Sequence, residues 1–210
     1  MSALNGDGKN GSSDGETIPR DEPVIGEVPG EILELAENLR QYVDRALKVE
    51  LDYDAETLPV LDAYLKVVAG GVSDRPELEP LVARAAAAYF GEVVRRRIDG
   101  FWRLRPDPND EWHVCSRRAL LSLSPLGMVL DAIAKGTSPD GPSPELRLSP
   151  ADQLLAEERL ARFPPVPEDE YYLLSTRTEV IEVVYETLRE QMKAEGRESV
   201  VFEAEDYDEE

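Results

Sequence analysis

The sequence has few of the residues that carry chemistry, and these shortages exclude several classes of protein. It contains one cysteine, Cys115, and one histidine, His113, in 210 residues. A single cysteine excludes an internal disulfide and is typical of a reducing compartment. A zinc site takes four protein ligands, or three and a water, so this pair alone does not supply one. The Walker, H-E-x-x-H and G-x-S-x-G motifs are absent as well, and we expect no cofactor and no metal.

Long hydrophobic runs are also lacking. The first residues, MSALNGDGKNGSSDGE, contain no apolar stretch of the kind found in a secretory signal. The longest apolar runs are far shorter than the ~20 residues that span a bilayer. The sequence therefore predicts a cytoplasmic protein that does not bind membranes.

Positive charge is scarce. The chain has 44 acidic and 23 basic residues and a net charge of -21. One mildly basic band, residues 84–118, contains arginines interleaved with Trp102 and Trp112, a combination that can contact nucleic acid. Within so acidic a chain, we interpret these arginines as surface ion-pair partners. The composition predicts no nucleic-acid binding and favours a protein partner, specifically a basic one, because opposite charges steer association.

Composition divides the chain into three parts. Residues 1–29 are rich in glycine, serine, proline and acidic residues, so we predict an acidic disordered segment there. Residues 197–210 end in EAEDYDEE, where like charges repel, and are predicted to form an acidic disordered tail. Residues 30–196 hold most of the bulky apolar side chains and are predicted to fold as a single domain.

Hydrophobic periodicity predicts a mostly helical domain with a small sheet. Helices are predicted over 31–48, from Asp54 to Gly70-Gly71, over 76–98, over 126–136, over 150–163, and from Thr176 to Gly196. Three short β-rich runs, FWRLR (101–105), EWHVCS (111–116) and LLSLS (120–124), predict an antiparallel meander. The expected fold class is α+β, with helices packed around a small antiparallel three-stranded sheet.

The third predicted helix is apolar on most sides, which is typical of a buried helix. Gly91 costs this helix about 1 kcal/mol relative to alanine, so it implies a close contact. Glu92 lies on the inward stripe, and a buried carboxylate needs a partner. Arg96, four residues further on, is the nearest candidate, and the indole N–H of Trp102 could be a further hydrogen-bond donor to the carboxylate.

Two interpretations of Glu92 stay open. It is either a strut that joins the helix to the sheet, or a general base or ligand-binding carboxylate. The strut is favoured because no second carboxylate, histidine or nucleophile lies at a supporting spacing.

His113 and Cys115 lie two residues apart on a predicted strand, so they face the same side of the sheet. They could form a nucleophilic pair or could simply be packing residues. Packing is favoured, because catalytic pairs usually need a third, orienting group. Glu92, Arg96 and His113 are therefore weak candidates for a catalytic site, and no cofactor-binding or metal residues are predicted.

A series of short motifs resembles a widespread bacterial family of uncharacterised domains. The series is LDYDAETLPVLDAYL (51–65), YFGEVVRR (89–96), GFW (100–102) and SPLGMVLDAI (124–133). Members show an L-D-Y…L-D-x-Y/F-L pair, a Y-x-G-E-V-x-R-R helix and a G-x-W strand start. Here Asp54 stands where serine is common. Because the family has no assigned activity, the resemblance implies the outline of the fold and no mechanism.

These features predict a non-catalytic cytoplasmic interaction protein, such as an adaptor or an immunity-type inhibitor, with an acidic surface. The alternative is a small enzyme that uses Glu92 with an arginine on an anionic substrate. The two differ in one structural respect. A catalytic Glu92 would line an open pocket with Arg96 and His113, whereas a strut would be sealed in the core.

Overall fold

The computed structural model describes residues 28–72, 79–104, 112–139 and 141–208. Within these ranges the chain forms seven α-helices and four β-strands: α1 (Gly30–Leu47), α2 (Leu58–Val72), α3 (Glu79–Arg97), β1 (Gly100–Leu104), β2 (Trp112–Ser116), β3 (Leu121–Leu123), α4 (Pro125–Ala134), β4 (Arg147–Leu148), α5 (Pro150–Leu160), α6 (Glu168–Tyr171) and α7 (Leu174–Ala194). Short 3₁₀ turns cover Ala55–Thr57 and Ala204–Tyr207. The predicted acidic segment 1–29 lies outside the described residues, apart from its last two.

The strands form one antiparallel sheet in the order β1-β2-β3-β4. β1 pairs with β2 from Gly100 opposite Ser116 onward, and Cys115 of β2 lies opposite Ser122 of β3. The predicted α+β class and the meander over 101–124 are confirmed. The short strand β4 is an addition to the three predicted strands, because a run of two residues shows no alternation that would signal it.

Helix α3 is surrounded by the rest of the fold. All residues from Ala85 to Val94 are buried, and α1, α4, β1 and β2 pack around them. These ten residues cover nearly three turns, so no side of this stretch faces solvent. The prediction of a buried central helix is confirmed. No helix in the described ranges combines the length and the apolar character needed to cross a lipid bilayer.

Two of the differences between predicted and observed helix boundaries have a clear structural cause. Helix α2 continues through Gly70-Gly71, so the glycine pair weakens the helix without ending it. Helix α7 begins before the predicted capping position, Thr176, because a residue from another helix caps it. The carboxylate of Asp62 accepts hydrogen bonds from the backbone N–H groups of Leu174 (2.8 Å) and Ser175 (3.2 Å).

Residues 200–208, named the strap here, lie across the face of the sheet that α3 and α4 leave open. The backbone N–H of Phe202 donates to the carbonyl of Arg117 at 2.9 Å. Tyr207 is buried and packs with Phe101 and Cys115. The prediction of a disordered tail is therefore wrong for the strap. The apolar side chains of the strap cover a second apolar face of the sheet, despite the surrounding negative charge. The last two residues of that tail lie outside the described ranges.

Candidate functional site

Glu92 is 1% exposed, and its carboxylate receives hydrogen bonds from two side chains. Arg95 donates from Nε to Oε1 at 2.7 Å and from Nη2 to Oε2 at 3.1 Å. Trp102 donates from Nε1 to Oε1 at 2.5 Å. The two parallel bonds from Arg95 are the strong, directional form of an arginine–carboxylate pair. Together these bonds join α3 to β1.

Gly91 explains how the indole ring reaches this carboxylate. A Cβ atom at position 91 would collide with Cη2 and Cζ2 of Trp102, the second at 2.6 Å, and would lie 2.9 Å from Cγ of Pro125. The ring therefore rests against the backbone of α3 in space that only a glycine leaves. This confirms the close contact predicted at Gly91.

Arg96, the predicted partner of Glu92, plays a smaller part. Its Nε lies 3.8 Å from Oε2 of Glu92, and its side chain is 47% exposed. The guanidinium lies over the ring of Tyr53, 4.5 Å from the centroid. The prediction that Arg96 is the nearest partner is wrong. Arg95 takes that place because it also reaches β1, where its Nη1 lies 3.4 Å from the carbonyl oxygen of Gly100.

The sheet separates the remaining sequence candidates from Glu92. His113 lies opposite Arg103 in the β1–β2 register, and Cys115 follows on the same face. Trp102, which contacts Glu92, lies on the other face, against α3. Both His113 and Cys115 are buried. The structure therefore does not bring Glu92 and His113 together in one pocket.

The strap closes the face that carries His113. The hydroxyl of Tyr207 donates to the carbonyl of Ser116 at 2.6 Å and accepts from the N–H of Leu121 at 3.3 Å. Arg103 donates to the carbonyl of Tyr207 at 3.0 Å and forms an ion pair with Asp208. Burial raises the pKa of Tyr207 above its usual range, because the phenolate would lose its hydration there.

Most arginines of the basic band contact acidic or aromatic side chains. In addition to the contacts above, the pairs are Arg97 with Asp54 (3.2 Å) and Glu182 (3.1 Å), Arg118 with Asp99 (2.9 Å), and Arg117 over the ring of Phe101 (4.8 Å). These contacts agree with the interpretation of the arginines as ion-pair partners. Arg105, which belongs to the same band, lies outside the described residues.

A groove that the sequence analysis missed lies between α5, α7 and the strap. It has a volume of about 530 Å³ and is lined by Leu120, Ser149, Ala151, Asp152, Leu154, Leu155, Glu158, Leu188, Gln191, Met192, Glu195, Arg197 and Phe202. The feature of the sequence that indicates this groove is the adjacent pair Leu154-Leu155. Neighbouring residues on a helix point about 100° apart, so α5 cannot bury both against α7 equally.

A second cavity, of about 580 Å³, lies where α2, α4 and α6 meet. Its charged lining combines Lys66 and Lys135 with Asp62, Glu168 and Asp169. Asp62 is already used to cap α7. The mixed charge gives this cavity no clear preference for a ligand of either sign.

Within the described parts of the chain, no group of three or more histidine, cysteine, aspartate or glutamate side chains could hold a metal ion. Comparisons with family models, with curated proteins and with solved structures found no match for this chain. The motif series therefore stays a resemblance, and function has to be inferred from the geometry of the chain itself.

Proposed function

We propose that this protein is a non-catalytic interaction protein, an adaptor or an immunity-type inhibitor, that binds a basic protein partner through its acidic surface. The observation that carries the proposal is that the carboxylate of Glu92 is hydrogen-bonded within the chain. Both oxygens accept hydrogen bonds from Arg95 or Trp102, and the side chain is 1% exposed. A general base needs an oxygen within reach of a substrate proton, so this arrangement supports a structural role.

The positions of the other candidates add support. Arg96 lies at the surface over Tyr53, and His113 is buried under the strap on the far side of the sheet. The alternative of a small enzyme using Glu92 with an arginine has weaker support. The arginine that contacts Glu92 most closely, Arg95, is 14% exposed and is committed to the same cluster.

Charge indicates the class of partner. The chain carries a net charge of -21, and several arginines of its basic band are paired with carboxylates of the same chain. A surface of this kind attracts basic proteins and repels nucleic acids. A cytoplasmic setting belongs to the same proposal, because a single cysteine suits a reducing compartment.

The test is affinity capture of the tagged chain from its native cells, followed by mass spectrometry and reconstitution with the purified candidate. We expect one protein to form a complex of fixed stoichiometry, with an affinity that falls as salt rises because the contact is electrostatic. A tagged acidic protein of similar size and charge serves as the control bait. The proposal would be overturned if no protein exceeded that control, or if the purified chain converted a metabolite in a reaction that Glu92→Gln abolished.

A further inference from the structure

The groove between α5, α7 and the strap has the chemistry of a docking surface. We propose that it binds an amphipathic helix of a protein partner, with apolar residues facing the groove and basic residues facing its rim. The inference rests on the proposed function, because it assigns the interaction to one surface of the chain.

The floor of the groove is apolar. Leu188 and Met192 of α7 are buried there, Leu155 and Phe202 are half-buried, and Leu154 is 62% exposed. A single exposed leucine is ordinary on a protein surface. A leucine that adjoins a concave apolar surface is typical of a binding site, because a ligand can remove the whole patch from water.

The rim of the groove is acidic. Asp152 and Glu158 of α5 lie on one side, and Glu195, which follows α7, lies on the other. Arg197, the cation of this lining, forms an ion pair with Glu195. Carboxylates therefore outnumber cations in the lining, and the excess lies on α5, where lysines or arginines flanking the apolar stripe of a ligand would meet opposite charge.

The dimensions fit a short helix. Helix α5 has 11 residues and is therefore about 16 Å long. A ligand helix of about three turns spans the same length and can present apolar residues at positions i, i+3 or i+4, and i+7. Such a helix would pack on α5 and α7 as a third helix does in any helical layer.

Charge argues against two other occupants. A second copy of the chain would bring another net charge of -21 to the groove. The segment 1–27 of the same chain contains six acidic and two basic residues. Either would place carboxylates against an acidic rim, where like charges repel. A basic helix of a different protein is the complementary occupant.

The test uses a fluorescein-labelled peptide of leucine and lysine, about three turns long, with its leucines at helical spacing. Fluorescence anisotropy measures its binding to the full chain, to Leu154→Lys and to Val67→Lys. Both positions are 62% exposed, and both variants change the net charge equally, but Val67 lies on α2 and does not line the groove. We expect Leu154→Lys to weaken binding about tenfold or more, and Val67→Lys by less than about twofold.

Two results would overturn the inference. Equal affinities for the two lysine variants would show that the peptide binds elsewhere. Equally tight binding of a peptide with the same pattern, in which glutamate replaces lysine, would show that the acidic rim does not contribute to binding. Glu158→Lys tests that rim separately, since it reverses one charge without touching the apolar floor, and we expect it to weaken binding as well.

The partner found by affinity capture separates failure of this inference from failure of the proposed function. If that partner binds Leu154→Lys as tightly as the parent chain, the groove assignment is wrong and the proposed function stands. If no protein partner is recovered, the proposed function fails, whatever the peptide does. Binding of the recovered partner that is weakened by Leu154→Lys and unaffected by Val67→Lys would support both.

Discussion

Replacing Glu92 with glutamine removes one negative charge from the core while leaving the side-chain volume almost unchanged. Glutamine keeps one oxygen that can accept from the indole N–H of Trp102. Its amide nitrogen, however, is a donor and takes the place of an oxygen that accepts from Arg95. The variant therefore leaves a partly buried guanidinium facing a neutral side chain, with one of its two hydrogen bonds to residue 92 lost.

The expected cost follows from the burial of the pair. Removing one partner of a buried ion pair costs about 3–5 kcal/mol, whereas an exposed pair contributes about 0–1 kcal/mol. The side chain of Arg95 is 14% exposed and can be partly rehydrated. We therefore expect the lower end of the buried range, about 3 kcal/mol. For a chain of this size, that loss lowers the melting temperature by roughly 6–12 °C.

Thermal melts followed by circular dichroism, together with urea titrations, measure both quantities. The matched control is Glu190→Gln, at an exposed position of α7, which we expect to change stability by less than about 0.5 kcal/mol. An unchanged or higher melting temperature for Glu92→Gln would refute the strut. The charge of a catalytic carboxylate destabilises the fold, so replacing the carboxylate with a neutral side chain leaves the stability unchanged or raises it. The enzyme alternative would then be the one to pursue.

Four further predictions concern the sheet and its cover. Gly91→Ala should lower the free energy of unfolding in urea by about 1–3 kcal/mol, because its methyl group collides with the indole ring. The helix preference of alanine, about 1 kcal/mol, offsets only part of that loss. Tyr207→Phe should cost about 1–3 kcal/mol in the same assay, because a buried carbonyl loses its donor. Burial raises the folded-state pKa of Tyr207 above the unfolded-state value of about 10. The protonated hydroxyl therefore contributes its full stabilisation below about pH 10, and this contribution is lost as pH rises beyond that value. Urea midpoints between about pH 9 and 11 should therefore fall more steeply for the parent than for Tyr207→Phe. Tyr207→Ala should accelerate modification of the Cys115 thiol by an aromatic disulfide reagent about 100-fold, because losing the ring weakens the strap by about 3 kcal/mol.

Controls for these variants come from nearby positions. A Cβ at Gly30 meets nothing within 4 Å, so Gly30→Ala should not lower stability. Val201 is an exposed strap residue, and Val201→Ala should leave the modification rate of Cys115 unchanged. A Gly91→Ala variant more stable than the parent would contradict the contact with the indole. Equal thiol reactivity in the parent and in Tyr207→Ala would show that the strap does not protect this face.

The features encoded by local spacing could be predicted from the sequence. The burial of α3 and the inward direction of Glu92 follow from helical periodicity alone. The choice between Arg95 and Arg96 does not, because residues three and four positions away on a helix are both neighbours. The position of β1 decides it, since Gly100 and Trp102 lie on the side that Arg95 reaches.

The strap was missed because its local composition is dominated by like charges. A signal for it lies elsewhere, in β2. All five residues of WHVCS are buried, so this strand does not alternate between a core face and a solvent face. A strand that is buried on both faces needs a cover on both. Such a run predicts that some other part of the chain must pack there, without indicating which part.

The distance along the chain between the sheet and its cover affects how the protein is synthesised. The carbonyl of Ser116 and the hydroxyl of Tyr207 are 91 residues apart. At about 5–20 residues per second, a ribosome needs roughly 5–18 seconds to make that interval, whereas a hairpin forms within about 10 microseconds. For those seconds the nascent chain presents the face of Phe101 and Cys115 to chaperones, and this face becomes covered only after Tyr207 has left the ribosome.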